Sequence, residues 1–152
     1  MIGNVDVKAS SVFFYVKRKT SFSDVTKTIP YESEEVNIGN AIDINTGIFK
    51  APVNGRYFFS FSGLVEFTAA GKFWISLMKN GVQDGSSAVH QPAAGTSYLP
   101  VTLQTTFDLK KGDTIAMKIA NALSQSLQNS KLFDSVDKYT HFTGYLLEQD
   151  FS

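Results

Sequence analysis

The sequence predicts an all-β antiparallel sandwich or barrel, on three observations. Apolar residues recur at every second position, turn-forming residues separate the runs, and no helical pattern falls between them. The clearest run covers residues 57–67. One face reads Tyr57, Phe59, Phe61, Gly63, Val65 and Phe67, and the other Phe58, Ser60, Ser62, Leu64 and Glu66. Alternation of this kind puts one set of side chains on each side of a pleated strand.

Taken in chain order, Val12, Phe14 and Val16 alternate near the start, and a short strand beginning near Ile48 ends at Pro52. The long run of residues 57–67 follows. Phe73, Ile75 and Leu77 then oppose Trp74, Ser76 and Met78. Leu99, Val101, Leu103 and Phe107 oppose Thr102, Gln104, Thr106 and Asp108, and Ile115, Met117 and Ile119 oppose Thr114, Ala116 and Lys118. Between them, Asn45-Thr46-Gly47, Asn54-Gly55 and Asn80-Gly81 are expected to take the positive φ of tight turns. Lys110-Lys111-Gly112-Asp113 reads as a further turn, and Pro92-Ala93-Ala94-Gly95 as a loop. Residues 120–133 place Leu123 and Leu127 four apart among Ala, Ser and Gln. Lacking a cap and a continuous apolar stripe, this segment is read as a surface loop rather than a short helix.

With 152 residues, no internal repeat and no linker, the chain is read as one domain, residues 1–152, with its core at about 12–147. A hydrophobic share of 43% against 18% charged places it among globular chains. The 13 Phe and 6 Tyr concentrate the folding energy, since each buried ring is worth about 1.5–3 kcal/mol. Basic and acidic residues balance at 14 each, which leaves no electrostatic footprint for nucleic acid or an anionic membrane. No apolar run is long enough to span a bilayer, so membrane insertion is not expected. The first six residues lack the basic start and apolar stretch of a secretory signal, which taken alone fits a cytoplasmic or an already trimmed chain. Cysteine is absent, so compartment cannot be read from disulfides.

The stretch from Tyr31 to Phe61 carries a more specific pattern. Phe49 is followed after five residues by Gly55-Arg56-Tyr57-Phe58-Phe59-Ser60-Phe61, with Asn37 upstream. Leu77-Met78-Lys79-Asn80-Gly81, Leu109-Lys110-Lys111-Gly112-Asp113-Thr114-Ile115 and Phe142-Thr143-Gly144-Tyr145-Leu146-Leu147 extend it towards the C-terminus. This series resembles the complement C1q globular-head family, departing only at Tyr31, where Phe is usual, and Ile42, where an aromatic residue or Leu is usual. The resemblance implies a jelly-roll sandwich of about ten strands in two sheets, shared with tumour necrosis factor-like cytokines. It also implies a trimer working outside the cell, often on a collagen-like or coiled-coil stalk; neither a Gly-x-y repeat nor a heptad run occurs here. Phe49, Gly55, Tyr57, Phe59, Phe61, Phe142 and Gly144 are expected to pack the core or the three-fold axis rather than to hold a ligand. Gly55 is expected to supply a positive-φ turn, and Gly144 to admit another ring or backbone closely.

Chemistry is sparse. Thiol nucleophiles are excluded, no Gly-x-Ser-x-Gly elbow occurs, and only His90 and His141 offer imidazoles, so neither an enzyme nor a cofactor is expected. Two unrelated histidines give no zinc spacing. Asp134 and Asp137 are a thin carboxylate supply for calcium, which takes six to eight oxygens, and no metal is assigned to them. The acidic Glu32, Glu34 and Glu35 read as a solvated strand edge or loop.

The function expected is a non-catalytic, extracellular recognition module, a homotrimer binding surface patterns such as glycans in an innate-immune or lectin-like role. The alternatives are a secreted ligand for a cell-surface receptor, resembling cerebellins or adipokine heads, and a structural trimerising tip of a matrix or adhesive protein. Recognition is expected on loops at 83–94, 124–137 and 68–72, because loops on a rigid sandwich are where binding concentrates.

Overall fold

Residues 55–67 alternate so regularly because they form the axis of one sheet. A computed structural model describes residues 10–120 and 129–152 of the chain. Its strands are β1 (Phe13–Lys17), β2 (Ser33–Ile38), β3 (Ile42–Asp43), β4 (Ile48–Lys50), β5 (Gly55–Phe67), β6 (Gly71–Lys79), β7 (Val82–Gln91), β8 (Ser97–Leu109), β9 (Thr114–Ala120), β10 (Ser130–Phe133) and β11 (His141–Gln149). All pairings are antiparallel. In the first sheet, β8 pairs along the whole of β5 on one side. On the other side β11 and then β10 follow one another along β5, and β1 and β2 continue outward from β11. The second sheet runs β3-β4-β9-β6-β7.

The two inner faces meet in an aromatic core. Phe49 of the second sheet lies 5.5 Å from Phe14, 5.2 Å from Phe59 and 5.5 Å from Tyr57, centroid to centroid, with tilted or edge-on rings. Phe142 packs 4.9 Å from Phe14, and Tyr31 stacks on its other side at 5.6 Å. Such offset geometries suit the ring quadrupoles and add to the gain from burial. Val101 and Leu109 of β8 are buried, whereas Leu99, Leu103 and Phe107 are half-buried, because β8 has a neighbour on one side only.

Gly144 explains how so many rings fit. Register places it between Phe14 of β1 and Phe59 of β5, on the inner face. A Cβ there would stand 2.5 Å from Phe14 and 2.7 Å from Phe59, inside van der Waals contact with both rings. Gly55 plays a related part, and here the expectation of a positive-φ turn is corrected. It is the first residue of β5, absent from the positive-φ residues, and a Cβ would stand 2.5 Å from the carbonyl oxygen of Glu148. Close approach by β11, not turn geometry, fixes this glycine. Of the expected turns, positive φ occurs at Gly47 (71°) and at Asn80 (53°) and Gly81 (80°), the last two forming the two-residue turn that joins Lys79 to Val82.

Two loop readings are also corrected. Residues 83–94 are not a loop: most belong to β7, the edge strand of the second sheet. Its polar run from Val82 to Ser86 is exposed on both faces and has a register shift opposite Ser76 and Met78, so no alternation survives in sequence. Within 120–133, residues 130–133 form β10 against β5, and Leu132 is buried. Residues 121–128 of that segment lie outside the described residues.

The connection from β1 to β2 is held by a buried cation. Arg18, 5% exposed, donates to the carbonyl oxygens of Pro30 (2.7 Å) and Thr20 (3.1 Å) and lies 3.6 Å from Glu32. Its guanidinium also sits over the Phe22 ring at 4.8 Å. Glu32 itself accepts the backbone N–H groups of Lys19 and Thr20, both at 3.0 Å.

Candidate functional site

Strand register decides which side chains the first sheet turns outward. Ile38, Phe13, Tyr145 and Phe58 stand in one row across β2, β1, β11 and β5. Phe13 meets Tyr145 edge-on at 6.3 Å, and Phe58 lies 5.3 Å from the same ring. Ile38 is 50% exposed, Phe13 36% and Tyr145 38%, although side chains of this kind are normally covered. A second outward cluster joins Tyr98 to Phe133 at 5.2 Å and Phe133 to Tyr139 at 6.0 Å. Its rim is polar: the Tyr98 hydroxyl donates to Glu66 at 2.8 Å, and Lys131 lies 3.4 Å from the same carboxylate. That hydrogen bond, with burial and the Glu66 charge behind it, holds the Tyr98 phenol above its ordinary pKa.

Between the clusters sits His141. Its Nε2 lies 2.7 Å from the carbonyl oxygen of Lys138, which can only accept, so Nε2 carries the hydrogen. Nδ1 therefore accepts the Tyr15 hydroxyl, also at 2.7 Å. His141 thus acts as a bracket between β1 and the loop before β11. His90 stands exposed on β7, opposite Lys72.

One end of the sandwich gathers the loops. Gln91 is buried and donates to the carbonyl oxygens of Gly95 (2.6 Å) and Ala69 (3.3 Å), tying the loop after β7 to the β5–β6 turn. Thr68 donates its N–H to Asn129 at 2.9 Å, adding the start of β10. Of the expected recognition segments, residues 68–70, 92–94 and 134–137 are loops here, and 124–128 lie outside the described residues. Asp134 is 6% exposed, and its carboxylate accepts the N–H groups of Ser135, Tyr139 and Thr140, each at 2.8 Å. Its oxygens hold that loop shut, while Asp137 remains exposed.

The signature residues lie elsewhere. Phe49, Tyr57, Phe59, Phe61 and Phe142 are each at most 1% exposed within the single chain, and Gly55 and Gly144 face the same interior. They build the scaffold. Local sequence does not single out the surface aromatics, because Phe13, Phe58 and Tyr145 occupy positions that alternation assigns to solvent. Their signal was present: they are apolar residues on the polar side of the repeat.

A model of the C1q domain matches residues 13–147. The chain belongs to the C1q domain family. This C1q domain is 31% identical over 138 residues to "Complement C1q tumor necrosis factor-related protein 3" of Homo sapiens and of Mus musculus, matching 90% of this chain and 51% of each relative. It therefore spans about half the length of the curated relatives it matches. Among solved structures it is similar to the globular domain of zebrafish complement 1qA protein, with a TM-score of 0.69 and 17% identity, over 91% of this chain and 99% of that one. It is also similar to murine APRIL, crystallised at pH 5.0, with a TM-score of 0.67 and 15% identity over 91% and 100%. At such identities the likeness bears on the fold, a two-sheet jelly roll.

Proposed function

We propose that this C1q domain is a non-catalytic, extracellular recognition module that works as a homotrimer and binds surface patterns, in an innate-immune or lectin-like role. The observation that carries the assembly is the outward row of Ile38, Phe13, Tyr145 and Phe58 on the first sheet. Contiguous exposed apolar surface marks an interaction site, and aromatic residues are enriched in the cores of subunit interfaces. A zero net charge removes the long-range repulsion that would oppose three copies meeting. The extracellular setting is carried over from the family.

A non-catalytic role is supported by the histidines. His141 is held on both ring nitrogens by a hydroxyl and a carbonyl, neither a carboxylate nor a serine. His90 stands beside a lysine on an open sheet face.

Ligand recognition falls to the surfaces the assembly leaves free, the end loops and the second sheet. The purified protein applied to a glycan and lipopolysaccharide array tests this, and saturable binding to a subset of spots is the expected result. The names of its relatives favour a second reading, a signalling ligand of the tumour necrosis factor-related kind. An empty array together with nanomolar binding to one cell-surface protein would reverse the order.

A further inference from the structure

We infer that the outward face of the second sheet around Trp74 is a binding site for an anionic carbohydrate, a site that rests on the recognition reading above and gives it an address. Trp74 is the sole tryptophan. It sits in the middle of β6 with its flanking Phe73 and Ile75 fully buried, so alternation turns the indole away from the core. Register places Ala88 of β7 on one side of it and Ala120 of β9 on the other. Two residues along β6 comes Ser76, flanked by Ser86 and Lys118. The half-buried ring thus stands between two alanines, with part of its face open to a flat partner.

Chemistry around the ring selects the partner. Lys72 and His90 form one cross-strand pair beside the ring, and Lys118 flanks the other end. The positions paired with Lys72, Trp74 and Ser76 on β7 and β9 include no carboxylate, and Asp84 stands two residues beyond Ser86 at the far end of β7. Residues two apart on a strand or diagonal across it lie about 7 Å from one another, so the cations surround the ring within reach of a short saccharide. An indole presents an apolar face to the C–H side of a pyranose, and a donor edge to its hydroxyls. Lysines supply charge to sulfate or carboxylate groups. Ser76 adds an independent sign. It is 1% exposed, it lies on this outward side of β6, and its hydroxyl has no hydrogen-bond partner, an unmet polar group beside the ring. A second copy of the chain is a poorer occupant, because two such faces would bring like charges together.

The lone tryptophan reports directly on its own site. Titration of the trimer with a heparin-derived hexasaccharide should give a saturable change in tryptophan fluorescence, and neutral maltohexaose should give none. A sialylated oligosaccharide separates carboxylate from sulfate preference. In calorimetry Trp74→Ala should lose at least roughly tenfold in affinity, with Trp74→Phe in between. Lys72→Gln combined with Lys118→Gln should weaken binding and flatten its salt dependence. Unchanged melting temperature and trimer mass show that each variant has folded. Calorimetric binding with no fluorescence change, untouched by Trp74→Ala, would overturn this site while leaving carbohydrate recognition in place. Absence of binding to both anionic probes would overturn the site, and an array empty of every ligand would overturn the broader reading with it.

Discussion

Arg18 donates from Nη1 to the carbonyl oxygen of Pro30 over 2.7 Å, and so closes the long connection between β1 and β2 with a buried charge. Burial draws the guanidinium pKa down, while Glu32 and Tyr31 oppose that shift. Arg18→Gln leaves carbonyls of Pro30 and Thr20 and the Glu32 carboxylate without their cation. The expected loss is about 2–4 kcal/mol in urea denaturation, because breaking one side of a buried polar network exposes the desolvation cost of the other. A loss within the ordinary surface range would show that the connection is held in some other way.

Glu32 makes the same region pH-sensitive. Partial burial pushes its carboxyl up, but the N–H groups of Lys19 and Thr20, the Thr20 hydroxyl and the Arg18 charge outweigh this and hold it below the ordinary value. The folded pKa is depressed, so its contribution is present above the unfolded value of about 4.3 and lost as pH falls through the folded one. Melting temperature should therefore drop on acidification below about pH 4, and Glu32→Gln should flatten that limb. An acid limb of unchanged steepness in the variant would assign the effect to other carboxylates.

Gly144→Ala should be among the most damaging of small substitutions, because its Cβ would collide with Phe14 and Phe59 at once. The expected cost is about 1–3 kcal/mol or more by denaturant unfolding. Gly71→Ala is the control, where the added carbon meets its nearest neighbour at an ordinary 3.9 Å and stability should hold or rise slightly. Equal costs at the two positions would contradict the ring-packing account.

Those elements also show what the sequence made legible. β5, β6, β8 and β9 were readable because each buries one face, and burial of one face writes a period of two. β7 and β10 were not. β7 is an edge strand with its first half open to solvent on both sides, and β10 has four residues, too few to establish a period. Gly55 was assigned to a turn from its Asn-Gly context, while its true constraint, the carbonyl of Glu148, comes from a strand 93 positions later in the chain. The aromatic row proposed for assembly was the least legible part. An outward Phe58 or Tyr145 becomes meaningful only when register sets it beside Phe13, and local sequence carries no register.

Asp134 separates structure from metal binding. With three N–H groups on its carboxylate, Asp134→Ala should cost about 2–3 kcal/mol, since the Thr140 N–H is buried. Millimolar calcium should leave the melting temperature of the wild-type protein unchanged. A calcium-dependent rise would assign a metal to the loop ahead of β11 and contradict the bracing role.

The central claim is that the aromatic row of the first sheet joins three copies. Light scattering coupled to size exclusion, at micromolar concentration, should return three times the 16.7 kDa protomer, falling to a single protomer when Tyr145→Glu places a charge in the row. A wild-type protein that elutes as a folded monomer would contradict the account.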